Sequence, residues 1–150
     1  VNLLLNQFFA SFTEAGARAL AAYVEEATVN DRTLLFKEED PTDCLYLVLE
    51  GRVELTKRTA DGKEVLIETV EAGDYFGEMG ILDGSPRSTR AVTRGPVRMA
   101  KIPCVPFLRI LQEEPARASL AIFRKILEHL RNSNARIVRE LGAKPPPSPK

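Results

Sequence analysis

The run Phe76-Gly77-Glu78-Met79-Gly80-Ile81-Leu82-Asp83-Gly84-Ser85-Pro86-Arg87-Ser88-Thr89 gathers the residues best suited to hold a charged, hydroxylated molecule. Backbone N–H groups at the start of a helical turn meet anions. Gly77, Glu78 and Met79 are placed to offer them, and a side chain at Gly77 would obstruct close approach. Arg87, nine residues after Glu78, carries a planar fork that neutralises a phosphate through two parallel bonds. A carboxylate accepts from hydroxyls and repels phosphate, so Glu78 is expected to face a sugar. Ser88 and Thr89 follow the arginine, and the Ser88 hydroxyl can reach the same anion. Taken singly these residues have plainer readings. Arg87 would be a surface arginine, Glu78 a helix-start carboxylate favoured by the macrodipole, and Ser88 an ordinary strand residue.

The elements around this run change period along the chain. Residues 3–27 read as helical, with Phe8, Phe9, Phe12, Leu20 and Tyr23 toward one face and Thr13 as an N-cap before Glu14. From 33 to 102 the pattern is that of short strands. Leu45, Leu47 and Leu49 alternate with Tyr46, Val48 and Glu50. Gly51 then reads as a turn, and Val53 and Leu55 resume the alternation. Asp61-Gly62 marks a hairpin before Val65 and Ile67. Gly73-Asp74 reads as another turn, and 88–94 and 96–102 as two further strands. Such a series predicts a small β-barrel or jelly roll. Beyond Pro103 and Pro106 the pattern is helical, breaks at Pro115, and continues as one long helix over 116–141. The expected division is a domain over 1–141 and a Pro-rich, extended tail over 142–150.

The order Phe-Gly-Glu, apolar residues, short loop, Pro-Arg and small residues resembles the phosphate-binding cassette of cyclic-nucleotide-binding domains. The resemblance extends over roughly residues 3–141. It implies an α+β fold: a β-roll with N-terminal helices and a long C-terminal helix. It also implies a ligand set of Phe76, Gly77, Glu78, Met79, Arg87, Ser88 and Thr89. Arg87 would take the cyclic phosphate and Glu78 the ribose 2′-hydroxyl. Thr89 departs from the more usual Ala. From Arg87 onward the spacing matches the bacterial catabolite-activator branch without gaps through Phe107 and Pro115. That register places the branch's two base-contacting hydroxyl positions on Asn132 and Ser133, and Asn132 is itself a departure. The implied ligand is cAMP ahead of cGMP, with no further cofactor.

The long helix carries Leu120, Phe123, Leu127, Leu130, Asn134, Ile137 and Leu141 at spacings 3, 4, 3, 4, 3, 4. That is a heptad seam, with Asn134 as a register-setting polar position. Ile122 and Ile126 widen the apolar face, so the helix can lie on the barrel and on a partner helix together. The expectation is a homodimer. The alternative is a helix that frays after 131 with Asn134 in solvent.

Composition narrows the rest. The chain has 150 residues, 44% of them hydrophobic, and 21 basic residues balance 21 acidic ones. Zero net charge argues against broad nucleic-acid binding. The basic residues Arg90, Arg94, Arg98 and Lys101, in an acid-free run from 87 to 101, read as a solvated face ahead of a nucleic-acid patch. Cys44 and Cys104 are distant in sequence and read as reduced thiols of a cytoplasmic protein. A single histidine, His129, and the Cys spacing suggest no zinc site. No membrane span is legible, and the start at Val1 reads as that of a fragment.

Three functions fit these readings. The first is a sensor that binds a cyclic nucleotide and signals by moving its long helix. The second is the sensor half of a transcription regulator of the same superfamily, with its DNA reader outside this chain. The third is an interaction module that kept the fold without the ligand. No nucleophile–base–orienter set supports an enzyme.

Overall fold

The computed structural model describes residues 6–140. The phenylalanine-rich start folds as a 3-10 turn, Gln7–Ser11, and not as part of one helix. Phe8, Phe9 and Phe12 are all buried. Thr13 ends the turn and caps α1, Glu14–Ala21, by accepting the Gly16 N–H at 3.1 Å. Both oxygens of Glu114 also grip Thr13, through its N–H and its hydroxyl. The expected helix over 3–27 therefore breaks, and its last residues become strand β1, Glu25–Val29. The apolar spacing of the phenylalanines reflects burial in a turn. Residues 3–5 lie outside the described ones.

Five more strands follow: β2 Leu34–Phe36, β3 Cys44–Arg58, β4 Glu64–Glu71, β5 Tyr75–Phe76 and β6 Arg90–Pro103. All pairings are antiparallel. The sheet order is β1-β6-β3-β4, with β2 also on β6 and β5 also on β3. Together with the helices this is the β-roll architecture, closed by helices at both chain ends.

Gly51 does not end a strand. It lies inside β3 at φ 86°, where the register against β6 shifts between Val48 and Glu50 and again between Glu50 and Arg52. A Cβ there would lie 2.5 Å from the Pro96 carbonyl oxygen. The residue is thus a bulge that bends a 15-residue strand. Gly95, φ 77°, interrupts β6 in the same manner, so the two strands expected over 88–102 are one. The Asp61-Gly62 hairpin between β3 and β4 forms as read.

The first part of β3, residues 44–48, is buried on both faces. Leu45 and Leu47 join Phe8, Phe12, Tyr75, Phe107 and Ile122 in the core between roll and helices. Tyr46 and Val48 join Phe36, Val53, Val70, Phe76 and Met99 inside the roll. Burying each such side chain contributes about 1.5–3 kcal/mol. Arg90, Arg94 and Arg98 form cross-strand ion pairs with Glu64, Glu54 and the Glu26/Glu50 pair, at 2.7–3.2 Å. Arg90, Arg94 and Arg98 thus lie on a charge-balanced outer face.

Two helices complete the chain, α2 Cys104–Glu113 and α3 Ala116–Glu140. Helix α3 has two working faces. Ala118, Ile122 and His129 are buried against the roll, with Lys125 and Ile126 half-buried beside them. Leu120, Phe123, Leu127 and Leu130 are 40–53% exposed on the other side. Asn134 is exposed as well. The side chain of Ile137, all of Leu141, and the tail 142–150 lie outside the described residues.

Candidate functional site

The segment between β5 and β6 forms turns and no helix. Ile81 N–H bonds to the Glu78 carbonyl and Gly84 N–H to the Gly80 carbonyl, both at 3.0 Å. The helix start expected at Glu78 is thus a pair of tight turns, without a macrodipole to favour the carboxylate. Gly77 is held at φ 84°, and a Cβ on it would lie 2.6 Å from Arg87 Nη1. The glycine is required both by its backbone and by the arginine packed on it.

Arg87 is 3% exposed, far from the fate of an ordinary surface arginine. Its Nη1 donates to the Gly77 carbonyl at 2.9 Å and its Nη2 to the Cys44 carbonyl at 2.6 Å. Nη2 also lies 3.2 Å from the carboxylate of Asp43, whose side chain is exposed. The guanidinium carbon stands 4.2 Å from the centre of the Phe36 ring, a favourable cation–π distance. Nε is buried and has no hydrogen-bond partner among the described residues. A buried donor left unpaired costs about 1–3 kcal/mol, and an anion alongside would recover it.

Glu78 is 2% exposed. Its carboxylate accepts from Nδ1 of His129, which reaches in from α3. The other ring nitrogen, Nε2, lies 3.5 Å from Glu68 Oε1 on β4, beyond hydrogen-bond geometry, and is also buried without a hydrogen-bond partner among the described residues. Burial works against the charged imidazolium. The bond and charge of Glu78 and the charge of Glu68 outweigh it, so the His129 pKa is raised. Burial likewise pushes the Glu68 carboxyl up, opposed by His129. One turn earlier on α3, Lys125 Nζ bonds Asp74 at 2.7 Å. Glu68, Asp74 and His129 bring ligand-type atoms within 4.8 Å of one another. The Lys125 ammonium already supplies the cation of that cluster.

These residues line one cleft between the roll and α3. Of the nine residues singled out from the sequence, Gly77, Glu78, Met79, Arg87, Ser88, Thr89 and Ser133 border it. Phe76 does not: its ring is fully buried in the roll, stacked on Tyr46 at 5.2 Å. Asn132 does not either, because it projects from the exposed side of α3. The cleft also includes Phe36, Thr42, Glu68 and His129, which the sequence reading missed. His129 carried a usable signal. It stands three and seven residues after Ile126 and Ile122, on the roll-facing stripe of the helix. The free volume between these side chains is about 50 Å3, small beside the roughly 300–1,000 Å3 of small-ligand pockets.

Residues 26–114 match the model of the cyclic nucleotide-binding domain, so the chain belongs to that family. The CRP-like cAMP-activated global transcriptional regulator of Mycobacterium tuberculosis is 31% identical over 100 residues, 67% of this chain and 44% of that protein. The regulatory domain of Toxoplasma gondii PKA, solved with cAMP, superposes with a TM-score of 0.65 at 27% identity, covering 69% of this chain and 39% of that one. The catabolite activator protein of Thermus thermophilus shares the fold, with a TM-score of 0.73 at 21% identity over 87% of this chain and 61% of that one. The chain spans less than half the length of the curated relatives it matches. Helix α3 lies outside the residues matched to the family model.

Proposed function

We propose that the chain is a regulatory sensor domain that takes a cyclic nucleotide, cAMP ahead of cGMP, into the cleft beneath α3. One observation carries the reading. A buried guanidinium with a free Nε donor and a buried carboxylate border the same cleft. The first suits a phosphate diester and the second a ribose hydroxyl. Gly77, Met79, Ser88 and Thr89 frame the phosphate end, and Ser133 borders the cleft from α3. Preference for cAMP is supported by the M. tuberculosis relative, a cAMP-activated regulator, and by the T. gondii domain, solved with cAMP.

The output is movement of α3, since a ligand shifts a protein only toward the state it binds better. The domain pairs with a second copy through the exposed row Leu120, Phe123, Leu127 and Leu130, whose 3-4-3 spacing suits a two-helix seam. Its role is regulatory, and its two free cysteines suit the reducing cytoplasm. A second reading, the sensor portion of a longer transcription regulator, is favoured by the chain matching a part of the M. tuberculosis protein.

Calorimetric titration with cAMP, cGMP and AMP tests the ligand class. The expected order is cAMP first, cGMP second and AMP last, because AMP carries an extra charge and a free terminal phosphate oxygen. Equal, millimolar binding of all three would leave only the fold.

A further inference from the structure

We infer that His129 is an internal competitor for Glu78: α3 is latched to the roll through this imidazole, and a cyclic nucleotide reaches the carboxylate only by displacing it. The inference rests on the ligand class proposed above and adds how the site is regulated.

The carboxylate of Glu78 is already occupied. Glu78 is almost fully buried, and its Oε1 is engaged by His129. A ribose hydroxyl bonding to the same oxygen meets the imidazole in its way. The free space of about 50 Å3 is too small to admit a nucleotide beside the ring. Entry of the ligand and withdrawal of His129 are therefore one event.

Helix α3 is held differently along its length. Its N-terminal half rests on apolar contacts, with Ala118 fully buried and Ile122 4% exposed. Its next anchors are mainly polar: Lys125 on Asp74 and His129 between Glu78 and Glu68, with Ile126 half-buried between them. Beyond His129 no described side chain of α3 is buried. Withdrawing the C-terminal half exchanges polar contacts for water and leaves the apolar anchor in place. The helix is built to pivot about Ile122 and release at His129.

The His129 imidazole sits among opposed charges. The groups facing the imidazole are Glu78 from the cassette, Glu68 from β4, Asp74 and the Tyr75 ring from the turn and β5, and Lys125 from α3 itself. Burial, and to a smaller extent Lys125, work against the charged ring, but the two glutamates outweigh them and raise the docked pKa above the ordinary 6.5. A raised pKa stabilises the docked form below about 6.5, and that stabilisation fades as pH rises through the higher docked value. A ligand that undocks His129 returns it toward its ordinary pKa. Binding then releases a proton between the two values, and affinity increases with pH across that window.

The test combines nucleotide affinity against pH with hydrogen exchange of the ligand-free chain, using wild type, His129→Ala and Glu68→Gln. Expected are cAMP binding at least about tenfold tighter in His129→Ala, the size of one charge-assisted contact, and loss of the pH slope. Amides of residues 125–136 should exchange faster in that variant. Glu68→Gln, which leaves Glu78 intact, should shift the pH midpoint downward. Unchanged affinity and slope in His129→Ala would overturn the latch and leave the ligand class intact. Faster α3 exchange in His129→Ala, with no nucleotide bound by any form, would support the latch and reject the ligand class. Unchanged exchange with no binding would reject both.

Discussion

The Nδ1 of His129 is hydrogen-bonded to the carboxylate of Glu78 across 51 residues of sequence. This bond joins the long helix directly to the acid of the cassette. It makes the position of α3 depend on what else Glu78 binds, which is the physical requirement for a switch.

Glu78 is expected to read the ribose 2′-hydroxyl. A 2′-deoxy cyclic nucleotide should bind wild type more weakly than its parent. The two should bind Glu78→Ala about equally. Because Glu78→Ala also frees His129, its affinity for the parent falls less than the deoxy comparison in wild type implies. Equal binding of the two ligands by wild type would remove the assignment.

Arg87 serves both fold and ligand. Arg87→Ala should weaken cAMP by on the order of 10–100-fold, from the loss of a charge-assisted contact. It also leaves the Cys44 and Gly77 carbonyls without their donor, at about 1–3 kcal/mol for each one that stays buried and unpaired. Thermal denaturation should show a lower Tm without ligand. Arg87→Lys should recover only part of either effect, since one ammonium cannot span both carbonyls as the fork does.

Gly77→Ala should cost stability on two counts. A side chain at φ 84° is strained by about 1–2 kcal/mol, and the new methyl meets Arg87 Nη1 at 2.6 Å. Denaturant unfolding measures the loss, and cAMP titration should show it accompanied by weaker binding. Gly62→Ala shares the positive φ but has open space around it, so it should be destabilised by the backbone strain alone.

The exposed seam of α3 predicts self-association. Leu127→Glu should yield a monomer in sedimentation at tens of micromolar, because a like-charged pair buried at a two-fold seam pays both desolvation and repulsion. Wild type should sediment as a dimer. Wild type sedimenting as a monomer with and without ligand would end the seam reading and leave the cleft untouched.

Much of the architecture was legible because it rests on local rules. Asp61-Gly62 is a hairpin turn whatever surrounds it, and Pro115 separates α2 from α3. Thr13 caps α1 as its side chain requires. The misreadings arose where tertiary packing overrode spacing. Gly51 and Gly95 look like turns but are bulges within strands, which only the partner strand reveals. Phe8, Phe9 and Phe12 look helical because a 3-10 turn under aromatic packing buries similar spacings. In the site, Gly77, Glu78 and Arg87 stood out because they are close in sequence and chemically distinctive. His129, Glu68 and Phe36 did not, since each belongs to a distant element and joins the cleft only through the fold. Phe76 was placed with the ligand by its position in the motif, whereas its ring fills the roll and stacks on Tyr46.

Hydrogen exchange of wild type with and without saturating cAMP tests the central claim most directly. The account predicts slower exchange of the cassette amides around Gly77–Gly80 and Arg87–Thr89, together with a change in α3 around His129. Binding of cAMP with both segments unaltered, and protection confined to another surface, would contradict it.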